Sequence, residues 1–361
     1  MNTISEEGIS ITNYGELISK DLKVFYNPVM KLNRDMSLLL IKSYFKEKIT
    51  FCDPMIATGI REIRFLKTIP ECFESMTLGD ISKIALEDAE KNFKNNSIST
   101  QKITFKHENA INTIASQFFH FIEVDPFGSP VPFLDIALQR IKHNGILSVT
   151  ATDTAALCGT YPKKTLRRYG IYTQFIHCYE EIGLRNLIAY CTREAAKHDK
   201  VLEIMISYSS DHYYKIFFKV QDGAQKALED VKKLQYYTCE KKTQEIKFSE
   251  FRSSKEHLGP IYTGPLKDQK LVDTMISNLE LIKDKKKIEK LLILISEEIE
   301  QFGYFNTHKL QKSYKIGSQL KFSDIMDKLK EKGFEVSKPH NNRLGIKSNC
   351  SYTDIINILK E

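Results

Sequence analysis

Short apolar segments alternate with segments of helical periodicity over the first 150 residues, and this alternation constrains the fold more than any other feature of the chain. A helix between successive strands is typical of a parallel, doubly wound sheet. Such a sheet binds ligands beyond the carboxyl ends of its strands, so the residues that follow each strand are candidates for a functional site. The predicted strands are Ile49–Cys52, Glu74–Leu78, Lys102–Phe105, Phe118–Val124 and Ile146–Thr150.

Helical patterns fill the intervals between these strands. Ile60–Lys67 is predicted as the first helix, and Ile81–Asn95 as the second because its apolar side chains share one face. Pro130 suits the first turn of a third helix, which we expect to end at Gly145.

A length of 361 residues predicts two domains, and the sequence changes character near residue 230. Before this point, a helix is predicted over Tyr179–His198 and strands over Val201–Ser209 and Tyr213–Val220. After it, helices are predicted over Val272–Phe302, which is rich in lysine, and Phe322–Lys332. The predicted domains are residues 1–234, of the α/β class, and residues 235–361, a smaller α+β domain.

Composition excludes several classes of protein. The chain has no run of 18 apolar residues, so we expect no membrane-spanning helix. The N-terminus lacks the basic start and apolar stretch of a signal peptide. The seven cysteines form no Cys-x-x-Cys pair and the nine histidines no His-Glu-x-x-His motif. We therefore expect reduced thiols, no metal site and a cytoplasmic location.

The net charge of +7 is unevenly distributed along the chain. Residues 1–225 contain 27 basic and 26 acidic side chains, whereas residues 226–361 contain 26 and 20. A basic second domain favours contact with the phosphate backbone of a nucleic acid. A solvated lysine-rich helix around residues 283–290 is an alternative explanation for part of this excess.

Three strand ends carry groups that suit a nucleotide-like ligand. The turn before Arg61 contains Gly59, which lets a ligand approach the backbone, and the helix that follows offers free N–H groups. Asp80 suits ribose hydroxyls, although a helix N-cap is an equally good explanation. Glu108 suits the amino group of an adenine. Each of these residues also fits an ordinary structural role.

The fourth strand is followed by Asp125, Pro126 and Phe127. A carboxylate and a proline carbonyl can accept the two N–H groups of an exocyclic amine on a base. The carboxylate can also take the proton that the amine releases, while the aromatic ring stacks on the base. The alternative is an Asp-Pro turn with a buried phenylalanine.

Motifs spread over most of the chain make it resemble the tRNA guanine-26 N2,N2-dimethyltransferase family. They occur in the order of that family from residue 24 to residue 348. The matching segments are Val24–Pro28, Asn33–Ser37, Thr58–Arg61 with Arg64, Asp125–Pro130, Thr150–Asp153, Leu157–Gly159, Tyr169–Gly170, Gly183–Arg185, Gly259–Pro260, Gly264–Leu266 and Leu344–Ser348.

This resemblance implies a Rossmann-like, S-adenosylmethionine-dependent methyltransferase domain over residues 1–234. It implies that residues 235–361 form a C-terminal domain that contacts tRNA. The expected reaction is transfer of one or two methyl groups to the exocyclic N2 of guanine-26, with the base extruded into the site. No membrane and no obligate protein partner are implied.

The resemblance also implies a role for each candidate residue. Asp125 is the expected catalytic carboxylate, Pro126 supplies its carbonyl, and Phe25 and Phe127 sandwich the base. The expected ligands of S-adenosylmethionine are Arg34 and Arg61 for the methionine carboxylate, Asp80 for the ribose and Glu108 for the adenine.

The sequence departs from the family pattern at two places. Glu108-Asn109-Ala110 stands where Asp-Ala-Asn is usual. Many members carry paired cysteines early in the C-terminal domain, which suggests zinc, whereas Cys239 stands alone in this chain. We therefore expect no metal, and a structural role for Cys239.

Two other functions fit part of the pattern. A methyltransferase acting on an exocyclic amine of DNA or rRNA, such as adenine N6, shares the Asp-Pro-aromatic element. It would have no reason to carry the Val24–Ser37 and Leu344–Ser348 segments. A non-catalytic RNA-binding protein on a degenerate methyltransferase scaffold would not need Asp125 and Asp80, which are both present.

Overall fold

The computed structural model describes residues 3–12, 23–240, 243, 245–317 and 320–361. Short 3-10 helices lie at Pro28–Met30, Pro70–Cys72 and Leu279–Leu281. The strands are β1 (Thr3–Glu6), β2 (Ile9–Thr12), β3 (Ile49–Asp53), β4 (Phe73–Asp80), β5 (Ile103–His107), β6 (Phe119–Val124), β7 (Ile141–Ala151), β8 (Lys200–Ser210), β9 (Tyr213–Asp222), β10 (Gln235–Cys239), β11 (Ile246–Ser249), β12 (Leu258–Ile261), β13 (Phe305–Asn306), β14 (Val336–Ser337) and β15 (Gly345–Ser348). The α-helices are α1 (Lys31–Tyr44), α2 (Ile60–Thr68), α3 (Lys83–Asn95), α4 (Ala110–Ala115), α5 (Val131–Arg140), α6 (Thr154–Leu157), α7 (Pro162–Tyr169), α8 (Tyr179–Ala196), α9 (Ala224–Lys232), α10 (Gln269–Ser277), α11 (Lys286–Glu297), α12 (Thr307–Tyr314), α13 (Phe322–Glu331) and α14 (Tyr352–Lys360).

The largest sheet has seven strands in the order β5-β4-β3-β6-β7-β9-β8. The five strands from β5 to β7 are parallel to their neighbours, with helices on the connections between them. The predicted doubly wound α/β fold is therefore confirmed. Successive strands are added on one side of β3 as far as β5, and then on its other side from β6 onward. Sheets of this kind bind ligands at this switch point, between β3 and β6.

The predicted strands are confirmed, but three helix boundaries are wrong. The third helix ends at Arg140, and β7 begins at Ile141, so Gly145 lies inside a strand. Asn144 adopts a φ of 59°, and a Cβ at Gly145 would lie 2.9 Å from the carbonyl oxygen of His120. The glycine therefore allows a close approach within the sheet, and it does not terminate a helix.

The other two errors concern where helical periodicity stops. The lysine-rich segment predicted as one helix over Val272–Phe302 is broken into α10 and α11, which are separated by a 3-10 turn at Leu279–Leu281. The second helix begins at Lys83, because the side chain of Ser82 caps it by accepting from Ala85 N, and Ile81 lies outside it.

Contacts between Cα atoms divide the chain into two units. Unit 1 comprises residues 1–151, 217–222 and 268–292, and unit 2 comprises residues 152–216, 223–267 and 293–361. The predicted boundary near residue 234 lies inside unit 2. The assignment of separate functions to residues 1–234 and 235–361 remains a prediction.

Unit 1 is built around an aromatic cluster on its parallel sheet. Phe51 on β3 is stacked on Phe121 at 5.3 Å between ring centroids, and meets Phe65 edge-on at 5.7 Å. All three rings are fully buried. Aromatic pairs in these arrangements contribute beyond the area they bury, so the cluster fixes α2 against the sheet.

Unit 2 has a core of its own that joins distant parts of the chain. Cys178 and Ile182 at the start of α8 pack with Tyr237 on β10 and Tyr304. A second cluster lies among α12, α13 and α14, with Leu329 fully buried. Among the described residues, no helix is long and apolar enough to cross a membrane, and all seven cysteines are free thiols.

A buried ion network also stabilises unit 2. Lys347 on β15 is 2% exposed, and its Nζ lies 3.0 Å from Glu181 Oε2 and 2.9 Å from Glu298 Oε1. Burial raises the pKa of Glu298. The charges of His340 and Lys347 together lower it by more, so the net shift of the pKa is downward. Removing the lysine would take a shared cation from two buried carboxylates, leaving Glu181 with Arg185 and Glu298 with His340.

Lys347→Met is expected to lower the free energy of unfolding by about 3–5 kcal/mol, because two buried carboxylates lose the cation that they share. Lys332→Met is the matched control, since Lys332 pairs with Glu361 at the surface and should change stability little. Chemical denaturation of both variants measures the difference. Equal stability of the two variants would contradict a structural role for the buried network.

Candidate active site

The candidate residues converge on one edge of the parallel sheet. The strands β3, β4, β5 and β6 run in the same direction and end at Asp53, Asp80, His107 and Val124. The predicted site residues Asp80, Glu108 and Asp125 are at or directly after three of these ends. The topology therefore gathers at one edge groups that are far apart in the sequence.

The loop after β3 connects this edge to the next strand. Asp53 Oδ1 accepts a hydrogen bond from Met55 N at 2.9 Å, which begins the turn. Gly59 caps α2 with a φ of 72°, and a Cβ there would lie 2.8 Å from the ring of Phe93. Glycine is therefore required for the turn that brings Arg61 into the site.

Asp80 is a structural acceptor within the site and does not cap a helix. Its Oδ2 accepts from Ala57 N at 3.0 Å, and its Oδ1 accepts from Ser82 N at 2.8 Å. The N-cap explanation is wrong, since Ser82 caps α3. Ile81 beside it is 76% exposed, which leaves an apolar surface next to the carboxylate.

Glu108 follows β5 and is partly exposed. Its Oε1 lies 3.2 Å from Lys106 Nζ and accepts from Thr113 Oγ1 at 3.4 Å. Asn109 caps α4 by accepting from Asn112 N. Glu108 is therefore held at the edge by its neighbours in sequence, with a side chain that solvent still reaches.

Asp125 forms an ion pair with Arg61 directly beyond β6. The distance between Arg61 Nη2 and Asp125 Oδ2 is 2.5 Å, and the Asp125 side chain is 15% exposed. Pro126 is buried, whereas the Phe127 side chain after it is 65% exposed. The explanation of this element as a turn with a buried phenylalanine is therefore wrong.

Phe25 and Phe127 lie beside each other, as the predicted sandwich requires. Their ring centroids are 4.6 Å apart, and the rings meet edge to face at 87°. This contact leaves no gap for a third ring between them. A base that enters would have to displace or turn one ring, and the sandwich itself remains a prediction.

Arg61 makes further contacts that the sequence did not indicate. Its Nη1 donates to Asn33 Oδ1 at 2.9 Å, to Ser37 Oγ at 3.2 Å and to Glu123 Oε2 at 3.2 Å. Glu123 is fully buried and also accepts from Ser148 Oγ at 2.9 Å. Glu123 is a charged residue within the apolar segment that forms β6. That contrast is the signal in the sequence that could have identified it as a partner of Arg61.

Arg34 lies on α1 and has different partners from Arg61. Its Nε donates to Glu6 Oε1 at 2.9 Å, and its Nη2 donates to Glu6 Oε2 and to the carbonyl oxygen of Asn27. The two arginines therefore share no acceptor among the described residues. Sequence reasoning did not identify Glu6, because a short N-terminal segment gives little periodicity.

A pair of buried carboxyl groups lies behind Arg61. Burial raises the pKa of Asp53 to about 6, although the charge of Arg61 opposes this shift. Burial and the charge of Asp53 raise the pKa of Glu62 well above its usual range. Burial therefore disfavours ionisation of both groups. The described residues contain no group of His, Cys, Asp and Glu that could hold a metal ion.

Glu62→Gln is expected to make the ligand-free protein more stable than wild type at pH 8, with a difference that shrinks toward pH 5. A carboxyl group whose pKa is raised by folding stabilises the folded state fully below its unfolded pKa of about 4.5. That contribution is lost as the pH rises through the folded pKa, whereas glutamine stays neutral.

Chemical denaturation at pH 5, 6.5 and 8 measures this difference. Glu90→Gln, on the exposed side of α3, is the matched control and should show no such trend. A wild-type protein that is the more stable of the two at pH 8 would show that Glu62 is ionised in the fold.

Comparison with known proteins gives consistent results over the whole chain. The family model for N2,N2-dimethylguanosine tRNA methyltransferase matches residues 2–360. The tRNA (guanine(26)-N(2))-dimethyltransferase of Pyrococcus furiosus is 36% identical over 94% of this chain and 93% of its own length. The enzyme of the same name from Methanococcus maripaludis is 32% identical over 95% and 94%.

A solved structure agrees with these relatives. The complex of Trm1 from Pyrococcus horikoshii with S-adenosyl-L-methionine superimposes with a TM-score of 0.91 and 34% identity, covering 99% of both chains. The family match, the identities and the shared fold extend over the same residues. This chain belongs to the N2,N2-dimethylguanosine tRNA methyltransferase family.

Proposed function

We propose that this protein transfers methyl groups from S-adenosylmethionine to the exocyclic N2 of guanine-26 in tRNA. Membership of the family supports the enzyme class, the methyl donor and the tRNA substrate. The observation that carries the proposal in this chain is the Asp125-Pro126-Phe127 element. It lies at the switch point of the sheet, with an ion-paired carboxylate beside an exposed ring.

The residues at the sheet edge fit S-adenosylmethionine. Asp80 offers a carboxylate to the ribose hydroxyls, and the exposed Ile81 beside it offers an apolar surface to the adenine ring. Glu108 is partly exposed at the next strand end, where it can accept from the adenine amine. Arg34 and Arg61 would bind the methionine carboxylate through their guanidinium groups.

S-adenosylmethionine supplies an electrophilic methyl group on a positively charged sulfur. The task of the protein is then to orient the amine of guanine, whose lone pair is delocalised into the ring. Asp125 Oδ accepts one N–H of the amine and takes its proton when the new bond forms. The carbonyl oxygen of Pro126 accepts the other N–H. Alignment of the amine with the methyl group accounts for most of the rate enhancement.

Phe25 and Phe127 are proposed to bind the extruded base. A guanine within a tRNA stem junction is stacked, so it must leave the stack at a cost of a few kcal/mol. Stacking on an aromatic ring contributes about 1–3 kcal/mol and offsets that cost. Phe127 is 65% exposed, so a base can reach its ring, and turning one of the two rings would then open the sandwich.

Residues 235–361 are proposed to hold the body of the tRNA. The stretch from residue 301 to 321 contains four lysines, His308 and no acidic side chain. Lys309 Nζ lies 5.1 Å from the ring centroids of Phe175 and Tyr179, which stack on each other. Phe175 is 51% exposed, and basic groups beside exposed rings suit nucleic acid. We also propose that the enzyme acts in the cytoplasm without an obligate protein partner.

A mapped methylation assay tests the proposed function. The protein, S-adenosylmethionine and one tRNA transcript should yield methylated guanosine at position 26. The same transcript with adenosine at position 26 should remain unmodified. Methyladenosine as the product would favour the alternative of an adenine N6 enzyme, and no product with intact cofactor binding would favour a non-catalytic RNA-binding protein.

Asp125→Ala is expected to reduce methyl transfer by about 10²–10⁴-fold while cofactor binding is retained, because the amine loses its proton acceptor. Asp125→Asn should be less severe, since it keeps a hydrogen-bond acceptor. Asp135→Asn on α5 is a matched control away from the strand ends. Single-turnover assays measure the rates, and near-normal turnover of Asp125→Ala would remove this residue from the catalytic role.

Phe127→Ala is expected to lower kcat/KM for tRNA by about ten- to a hundredfold, because a stacking surface worth about 1–3 kcal/mol is lost. Phe127→Tyr keeps the ring and should remain close to wild type. Steady-state methylation of intact tRNA distinguishes the two variants. An unchanged kcat/KM in Phe127→Ala would argue against the sandwich.

A further inference from the structure

The N-terminal hairpin β1–β2 places a carboxylate among the residues of unit 1. Glu6 lies at the end of β1 and is 5% exposed. Its Oε1 accepts from Arg34 Nε and from Arg64 Nη1, both at 2.9 Å. Its Oε2 accepts from Arg34 Nη2 and from the hydroxyl of Tyr26. One carboxylate thus receives donors from three different residues.

The hairpin is anchored to the fold and is not a loose extension. Ile9 and Ile11 on β2 are buried, at 2% and 0% exposure. Asn96, which directly follows α3, accepts from Ser10 N at 3.1 Å and donates to the Ser10 carbonyl oxygen at 2.7 Å. Asn92 accepts from the backbone N of Thr12 at 3.2 Å. These contacts fix the position of Glu6 relative to α3.

The contact with Glu6 fixes the plane of the Arg34 guanidinium. The carboxylate binds the Nε and Nη2 edge, which is the bidentate arrangement that holds an arginine in one orientation. The ring of Tyr26 lies 5.4 Å from Arg34 Cζ, and the carbonyl oxygen of Asn27 accepts from Nη2. The contacts of Arg34 with Glu6 and Asn27 use Nε and Nη2.

Arg64 shares the carboxylate of Glu6 with Arg34. It is 2% exposed and also pairs with Asp35 through Nη2. Burial raises the pKa of Glu6, but the charges of Arg34 and Arg64 and the hydrogen bonds lower it to about 2. Glu6 is therefore a permanent anion at any pH at which the enzyme works.

We propose that Glu6 is a positioning residue that holds Arg34 ready for the carboxylate of S-adenosylmethionine. This proposal rests on the role assigned to Arg34 in the proposed function. A long, free arginine loses side-chain entropy when a ligand orders it. Glu6 orders Arg34 during folding, so that loss no longer weakens cofactor binding.

Glu6→Gln tests the proposal through the carboxylate of the ligand. Titration calorimetry compares S-adenosylmethionine with decarboxylated S-adenosylmethionine, which lacks only that group. The wild-type protein should prefer the carboxylate-bearing ligand. Glu6→Gln should raise the Kd of S-adenosylmethionine by about tenfold, as expected for loss of a charge-assisted contact, and leave that of the decarboxylated ligand nearly unchanged. A merely structural defect would weaken both ligands equally.

Glu7→Gln is the matched control. Glu7 is the next residue of the same hairpin, and its carboxylate accepts from the backbone N of Lys283 and Asp284. It also pairs with Lys31, at 2.8 Å, and touches neither Arg34 nor Arg64 among the contacts of the described residues. The ratio of the two Kd values should therefore stay at the wild-type value in Glu7→Gln.

Two further variants make the outcome decisive. Glu6→Asp keeps the charge on a shorter side chain. It should shift the ratio of the two Kd values in the same direction as Glu6→Gln but by less, and it provides the test if Glu6→Gln fails to fold. Arg34→Gln should reduce the preference at least as much as Glu6→Gln, with Arg61 still present to bind the carboxylate. A preference reduced in Arg34→Gln but kept in both Glu6 variants overturns the positioning role alone.

If Arg34→Gln keeps the full preference for the carboxylate-bearing ligand, both the positioning role of Glu6 and the assignment of Arg34 to the methionine carboxylate are overturned. Methylation of guanine-26 by the wild-type protein is measured separately. The failure of this inference is thus distinguishable from failure of the proposed function.

Discussion

The ion pair between Arg61 and Asp125 is the contact on which the arrangement of the site depends. Arg61 lies on α2, and its Nη2 donates to Asp125 at the end of β6. Its Nη1 donates to Asn33 and Ser37 on α1. Glu123 completes the set from inside the sheet. One guanidinium therefore sets the positions of two helices relative to the strand that carries Asp125. Burial lowers the pKa of Arg61, but the surrounding carboxyl groups raise it more, so it remains a cation.

Buried charges of this kind are expensive, and the chain satisfies them in networks. Arg34 and Arg64 face Glu6 and Asp35, while Asp53 lies beside Arg61, with 3.7 Å between its Oδ2 and Arg61 Nε. Such networks contribute little net stability, since the cost of desolvation offsets much of the attraction. They do restrict each side chain to one set of partners and one orientation. That restriction suits a site that must align a methyl group with a weak nucleophile.

Unit 2 uses the same principle for a different purpose. Lys347, Glu298 and Glu181 come from three separated parts of the sequence, and their ion pairs lie inside one compact unit. Residues 152–216 therefore pack with residues beyond 293, on the other side of the boundary that composition predicts. The change in composition near residue 230 reflects mainly the solvent-exposed side chains of the helices and strands. The division into units depends on their buried side chains, which vary less in composition along the chain.

Local patterns in the sequence were sufficient to predict the alternating strands and helices and the candidates at the strand ends. Periodicity and turn residues act over a few positions, so β3, β4, β5 and β6 and the place of Asp125 could be read directly. They failed at Gly145, where an irregular strand allows a close backbone approach. The roles of Asp125, Phe25 and the arginines came from the resemblance to the family.

The sequence by itself determined the alternating strands and helices of the sheet and the edge that carries the candidate site residues. Only the tertiary structure decided which charges meet. Arg61 and Asp125 are 64 positions apart, Glu123 lies 62 from Arg61, and Glu6 lies 28 and 58 from its two arginines. A charged side chain carries no local signal of its partner, because its burial and pairing are fixed by the approach of distant segments during folding.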